Sequence, residues 1–242
     1  MKRTRYALSP DAWSPYCNKI GMNKIYCGMK KHIAILFLLV CACAFVAVGS
    51  GCSSALIDRW SDRISDYRPV LLEGGADGFS VTVMSGVRED PYSADGVCRD
   101  GRTDYTVVTL TGYASGEESV PVAFASGSGG IEMPLFPHPF DDGYSAEAPV
   151  RLDDGITSLE MTVGDTVLTV TGAPPTADGE YALTLASETV DPEGEILLRL
   201  TRNTVTEGGG RYWYVSFTTE ERSASVLINA ESGEVSAVRG GE

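Results

Sequence analysis

The sequence predicts a mainly β protein: an antiparallel β-sandwich preceded by a short amphipathic helix and followed by a C-terminal three-stranded meander. Three observations carry this. Apolar residues alternate with polar ones at period two after Pro69, glycine, proline and aspartate punctuate nearly every gap, and no helical periodicity recurs between the strands.

The elements follow in chain order. Residues 1–28 read as extra N-terminal residues or a long n-region, since Met29 with Lys30 and Lys31 has the form of a leader's start. Residues 29–51 read as a signal peptide. The apolar run Ile33–Val48 follows that basic pair and gives way to Gly49, Ser50 and Gly51. The run is slightly shorter than the roughly 18 residues a membrane-spanning helix needs, so an uncleaved anchor ranks second. Basic residues dominate the side before it, the positive-inside orientation.

Residues 52–69 carry Cys52 and a helix over Ser54–Tyr67, with Leu56, Ile57, Trp60, Ile64 and Tyr67 at spacings of three and four. Residues 70–185 form the sandwich domain. Phe79, Val81 and Val83 alternate with polar neighbours, as do Val120, Val122 and Phe124, and Leu159, Met161 and Val163. Gly164 and Asp165 make a hairpin turn into Thr166–Thr171, and further strands are expected at Tyr105–Tyr113, Tyr181–Leu185 and Glu195–Leu200. Leu183–Gly210 reads as strand and loop. Residues 186–242 end in the meander Arg211–Phe217, Ala224–Ile228 and Val235–Val238.

Ser50, Gly51 and Cys52 resemble the bacterial lipoprotein signal class, in which a small residue precedes a cysteine that is acylated and becomes the mature N-terminus. That resemblance implies a lipid anchor on Cys52 and the extracytoplasmic face of the cell membrane. Cleavage after Ala55, yielding a secreted protein, is the alternative. The stretch Ser85–Gly96 is similar to one in uncharacterised envelope lipoproteins. Tyr212–Val215 and Leu227–Val235 resemble the end of a PepSY domain. PepSY domains are associated with restraining proteases, so the resemblance implies a modulator of an envelope protease.

Seven of the 19 basic residues and one of the 33 acids precede Cys52. The remainder holds 12 arginines against 32 acids, a formal charge of −20. Phosphate-backbone binding needs the opposite sign, so nucleic acid is not an expected partner. Beyond Cys52 the only cysteine is Cys98, which excludes an internal disulfide.

No catalytic residue is assigned. Cys98 and His138 would make a nucleophile and base only if the fold joined them, and Ser126–Gly130 lacks the spacing of a serine-nucleophile turn. One histidine and one usable cysteine do not make a zinc shell. Asp90, Asp95, Asp100 and Asp104, near Gly96 and Gly101, offer hard oxygen ligands for calcium, although Asp-Gly is also ordinary turn chemistry. No other cofactor is implied.

The ring- and proline-rich loop Leu135–Phe140 makes Phe136, His138 and Phe140 candidate binding residues. Tyr212 and Tyr214 share a strand face opposite Trp213, Val215 and Phe217. Exposed, they would stack on a sugar or a partner; covered, they are core. The expected function is a non-enzymatic envelope module that binds a protein or cell-wall component. A carboxylate-dependent hydrolase of wall polysaccharide or peptide, and a calcium-stabilised structural module, are the alternatives.

Overall fold

The computed structural model describes residues 60–240, apart from 77, 94, 114–115, 128, 140–141 and 203–208. All described residues belong to one compact unit. The expected signal peptide, Cys52 and most of the expected amphipathic helix lie outside them. Of that helix, Trp60 alone has helical backbone among the described residues, and Ile64 and Tyr67 are in a strand.

Twelve strands form one sheet. They are β1 (Ile64–Ala76), β2 (Phe79–Glu89), β3 (Arg102–Thr111), β4 (Val120–Ser126), β5 (Gly129–Pro137), β6 (Gly143–Ala148), β7 (Ser158–Val163), β8 (Thr166–Thr171), β9 (Glu195–Arg202), β10 (Arg211–Thr218), β11 (Ser223–Asn229) and β12 (Val235–Arg239). Helix α1 spans Gly179–Thr189.

The sandwich expectation is overturned. The order β1-β2-β3-β6-β5-β4-β7-β8 returns to β1, so eight antiparallel strands close into a barrel. Closure comes where Glu73 of β1 meets Thr171 of β8. Glycines let the backbones cross closely there: a Cβ on Gly74 would lie 2.8 Å from Thr169 O, and one on Gly172 2.4 Å from Leu71 O. The barrel is filled with side chains, among them Leu72, Val83, Leu110, Val122, Leu135 and Met161. One end is stopped by the segment Val150–Leu152. Thr106 Oγ1 donates to Val150 O at 2.7 Å, and Leu152 N–H donates to Ser85 Oγ at 2.9 Å.

The terminal strands lie where alternation placed them, but they are not a separate three-stranded meander. β9 pairs antiparallel with β10 on one side and parallel with β1 on the other, so β9–β12 extend the barrel's own sheet. Trp213, Val215 and Phe217 are buried beneath α1 with Ile196, Leu198 and Leu200.

The expected strand Tyr181–Leu185 is helical instead. Asp178 caps the helix by accepting the Tyr181 N–H at 2.8 Å, and Glu180 sits in the first turn. Ala182, Leu183 and Ala186, at spacings of one and three, bury one face on β9–β11. The alternation of Tyr181, Leu183 and Leu185 was coincidental, and helical packing overrides it. Trp213 Nε1 donates to Ala177 O at 2.7 Å, tying the entry of α1 to the sheet.

Helix and strand readings differ in a measurable way, because a strand would put Tyr181 and Leu183 on one equally buried face. In the structure Leu183 is fully buried and Tyr181 is 50% exposed. Urea denaturation of Leu183→Ala is expected to show a loss of about 2–5 kcal/mol, and of Tyr181→Ala a loss of about 1 kcal/mol or less. Equal losses would contradict the helix.

Candidate functional site

With the barrel interior occupied, chemistry and binding have to be sought on outer faces, and two faces are distinctive. The first lies on β4 and β5. Inward residues there are Val120, Val122, Phe124 and Leu135, so Pro121, Ala123, Pro134 and Phe136 point outward. A groove of about 330 Å³ runs between Pro121, Ala123, Glu132, Pro134 and Thr162. Phe136, two residues along β5 from Pro134 on the same face, is 56% exposed. β5 pairs with β6 only at Phe136 and Pro137, and Pro134 brings no N–H to extend the ladder.

Of the residues expected to bind with Phe136, His138 is half-buried beside it, its backbone N–H donating to Gly143 O at 2.7 Å. Phe140 lies outside the described residues. Tyr212 and Tyr214 are elsewhere: β5 stands diametrically across the barrel from β1, and β10 lies beyond β9 on the β1 side. Tyr212 is 9% exposed and Tyr214 half-buried.

The second face is the side of β1, β9 and β10 that α1 does not cover. Arg68, Arg199 and Tyr214 form one register row across the three strands. A bulge between Ile64 and Asp66 brings Ser65 and Asp66 both toward this side. Asp66 is 2% exposed; its Oδ2 accepts from Arg199 Nε at 2.7 Å and Nη2 at 2.6 Å, and its Oδ1 accepts from the Tyr105 hydroxyl at 2.8 Å. Arg199 Nη2 also donates to the Tyr92 hydroxyl at 3.1 Å. Burial, together with the Asp66 carboxylate, pushes the Tyr105 phenol well above its ordinary value.

Two further buried carboxylates hold the loop between β2 and β3 against this face. Glu89 accepts the Arg99 N–H at 2.7 Å and the Ser93 N–H at 3.2 Å. Glu195 accepts the Gly96 N–H at 3.0 Å and the Ser65 hydroxyl. Their oxygens are thus engaged by backbone and hydroxyl donors, and these two acids act as latches for the loop.

The aspartates considered for calcium do not converge. Asp95 pairs with Arg99, Asp90 accepts from Thr103 Oγ1 at 3.4 Å, and Asp100 and Asp104 are exposed. Among the described residues no group of three or more His, Cys, Asp or Glu side chains is placed to hold a metal ion. Cys98 precedes β3, where Arg102 Nη2 lies 3.2 Å from its sulfur, and burial raises its thiol pKa. His138 adjoins Gly143, which pairs with Thr111 at the other end of β3, roughly 30 Å along the strand. The two form no dyad.

No family model matches the chain, and no curated protein matches it. The resemblances to PepSY domains and envelope lipoproteins therefore rest on their residues. Among solved structures the Bacillus megaterium YpeB C-terminal domain is similar at 11% identity, over 77% of this chain and 94% of that one, with a TM-score of 0.23. A likeness at that TM-score carries no argument.

The Tyr105 environment predicts alkaline sensitivity. Its phenol is held above its unfolded value, as burial also holds that of Tyr67, so the folded state keeps protons that the unfolded chain releases. The associated stability is complete below about pH 10 and is lost as pH rises past it. Urea midpoints between about pH 8.5 and 11.5 are expected to fall, and Tyr105→Phe to make the fall shallower. An unchanged slope would show that Tyr105 does not contribute.

Proposed function

We propose that this chain is an envelope protein exported by the Ile33–Val48 segment, held at the extracytoplasmic face through lipid on Cys52, and built to bind a protein or cell-wall component. The observation that carries the binding reading is the β4–β5 face, where Phe136 stands 56% exposed beside a proline-edged groove. Large apolar groups cost free energy in water, and a mainly apolar groove beside an exposed ring is the form that partner contacts take. The prolines remove N–H groups from the strand margin, which favours side-chain contact over sheet extension.

Among the described residues no helix is long and apolar enough to cross a membrane; attachment is assigned to lipid because Ser50, Gly51 and Cys52 resemble the lipoprotein signal. The net charge of −20 beyond Cys52 keeps the barrel off an anionic bilayer while leaving it soluble beside it. A protein partner is favoured by α1. PepSY domains place an alanine-rich helix before their terminal strands, and α1 precedes β9–β12 with Ala182 and Ala186 buried. On that resemblance the partner class is an envelope protease held in check.

Metabolic labelling with a palmitate analogue is expected to mark the wild type and not Cys52→Ala; label that persists would refute the lipid assignment. For binding, a photo-cross-linking residue placed at Phe136 in the full chain is expected to give one discrete adduct in cells. The same residue at Val167, which is 65% exposed on β8, is expected to give none. Equal labelling at both positions, or none at 136, would remove the β4–β5 face as the binding surface.

A further inference from the structure

We propose that Arg68 and Arg199 form a binding site for an oxyanion, a carboxylate or phosphate group, on the sheet face opposite α1. The site goes beyond the binding reading above and stands without it, since β5 lies across the barrel.

Charge around Arg68 is unevenly matched. Arg68 and Arg199 are directly paired in register on the parallel strands β1 and β9, so two guanidinium side chains leave adjacent backbones on the same side. Like charges in such a pair repel, and neither arginine can shed its proton at physiological pH. The one carboxylate between them is spoken for: Asp66 takes two N–H donors from Arg199 and the hydroxyl of Tyr105. Arg68 makes no ion pair with a described residue. Its Nε is enclosed and has no hydrogen-bond partner. Burial lowers the Arg68 pKa and the Arg199 charge adds to it, while the Tyr105 hydroxyl and the Asp66 carboxylate oppose the shift without reversing it.

Arg88 adds to the same sign. It stacks over the Tyr105 ring at 4.8 Å and is matched by Glu147 alone, at 2.6 Å. Within reach of Arg68 stand Arg199 and one carboxylate, Asp66, while Glu89 and Glu195 lie with the β2–β3 loop near Arg99, so two arginines share one acid where the chain beyond Cys52 carries a net −20. An enclosed guanidinium whose Nε has no acceptor and whose nearest carboxylate is bonded to a second arginine is under-compensated, and an arriving oxyanion would supply both charge and the missing acceptor. Tyr92 and Tyr214 flank Arg199 and provide a hydroxyl and ring edges around the same point.

The test is thermal unfolding of the full chain in inorganic phosphate against sodium chloride at equal ionic strength, with 31P line widths of the phosphate as a second readout. Wild type is expected to gain roughly 3–6 °C in Tm when phosphate is about ten-fold above its Kd, and to broaden the phosphate line. Arg68→Gln is expected to lose both responses. Arg68→Met, in chloride alone, is expected to melt at or above the wild-type temperature, because it removes an unpaired charge. Sedimentation with phosphatidylglycerol vesicles distinguishes the source. Binding that depends on Arg68 would support a lipid headgroup, and a phosphate response without it would support a small soluble ligand. The proposal is overturned by a wild type that responds no more to phosphate than to chloride, by an equal response in Arg68→Gln, or by Arg68→Met melting several degrees below wild type in chloride. If Arg68→Met does not fold, the Arg68→Gln line-width comparison still decides.

Discussion

Strand β1 has two edges and three neighbours, and the rest of the structure depends on how it divides them. One edge pairs with β2 over most of its length. The other is shared: β9 runs parallel to it from Ile64 to Arg68, and β8 meets it antiparallel at Glu73. The changeover falls at Pro69, a buried residue with no N–H to offer either neighbour. A register shift between Tyr67 and Val70 accompanies it, and Gly86 of β2 allows the bulged strand to come close, since a Cβ there would lie 2.1 Å from Tyr67 O. The first half of β1 thus belongs to the helix-covered extension and the second half to the barrel. Because backbone donors and acceptors must be paired when buried, one interrupted strand serves as a hinge line for the whole sheet.

The polar interior follows from that junction. Where a sheet leaves a barrel, its backbone and side chains no longer form a uniform apolar layer, and the buried residues there include Ser65, Asp66, Glu89 and Glu195. Each carboxylate is compensated by specific donors: Asp66 by Arg199 and Tyr105, Glu89 and Glu195 by N–H groups of the β2–β3 loop. Charge-assisted bonds of this kind fix geometry more than they add stability. Arg68 stands apart because its Nε has no hydrogen-bond partner and the nearest carboxylate is already bonded to Arg199. The β4–β5 face and the charged junction are therefore different kinds of surface, one formed by side chains left over from a filled barrel, the other by charges of both signs that register brings together.

Much of this was legible in local patterns. Alternation located β2, β4, β7, β8 and β9–β12, and Gly164 and Asp165 marked the β7–β8 hairpin. β1 was not legible because its bulges break period two, so Ile64 and Tyr67 matched a helical spacing instead. β5 was read as loop because its glycines and prolines leave most of its length exposed on both faces. α1 was misread although Asp178 and the spacing of Ala182, Leu183 and Ala186 were available signals. Among site residues, Phe136 was identifiable from a concentration of rings and prolines. Asp66 and Arg199 were not, since they meet across 133 positions of chain.

The sequence by itself determined that the chain is β-rich and strongly acidic after the apolar segment Ile33–Val48, because strand alternation and net charge are properties of residues and their near neighbours. Only the tertiary structure decided that the strands close into a barrel rather than pack as two sheets, that α1 covers one side of the extension, and that Arg68 faces Arg199. Those outcomes depend on which backbone pairs with which and in what register. A shift of one residue reverses the face of every side chain, and such a choice is made by contacts between distant segments.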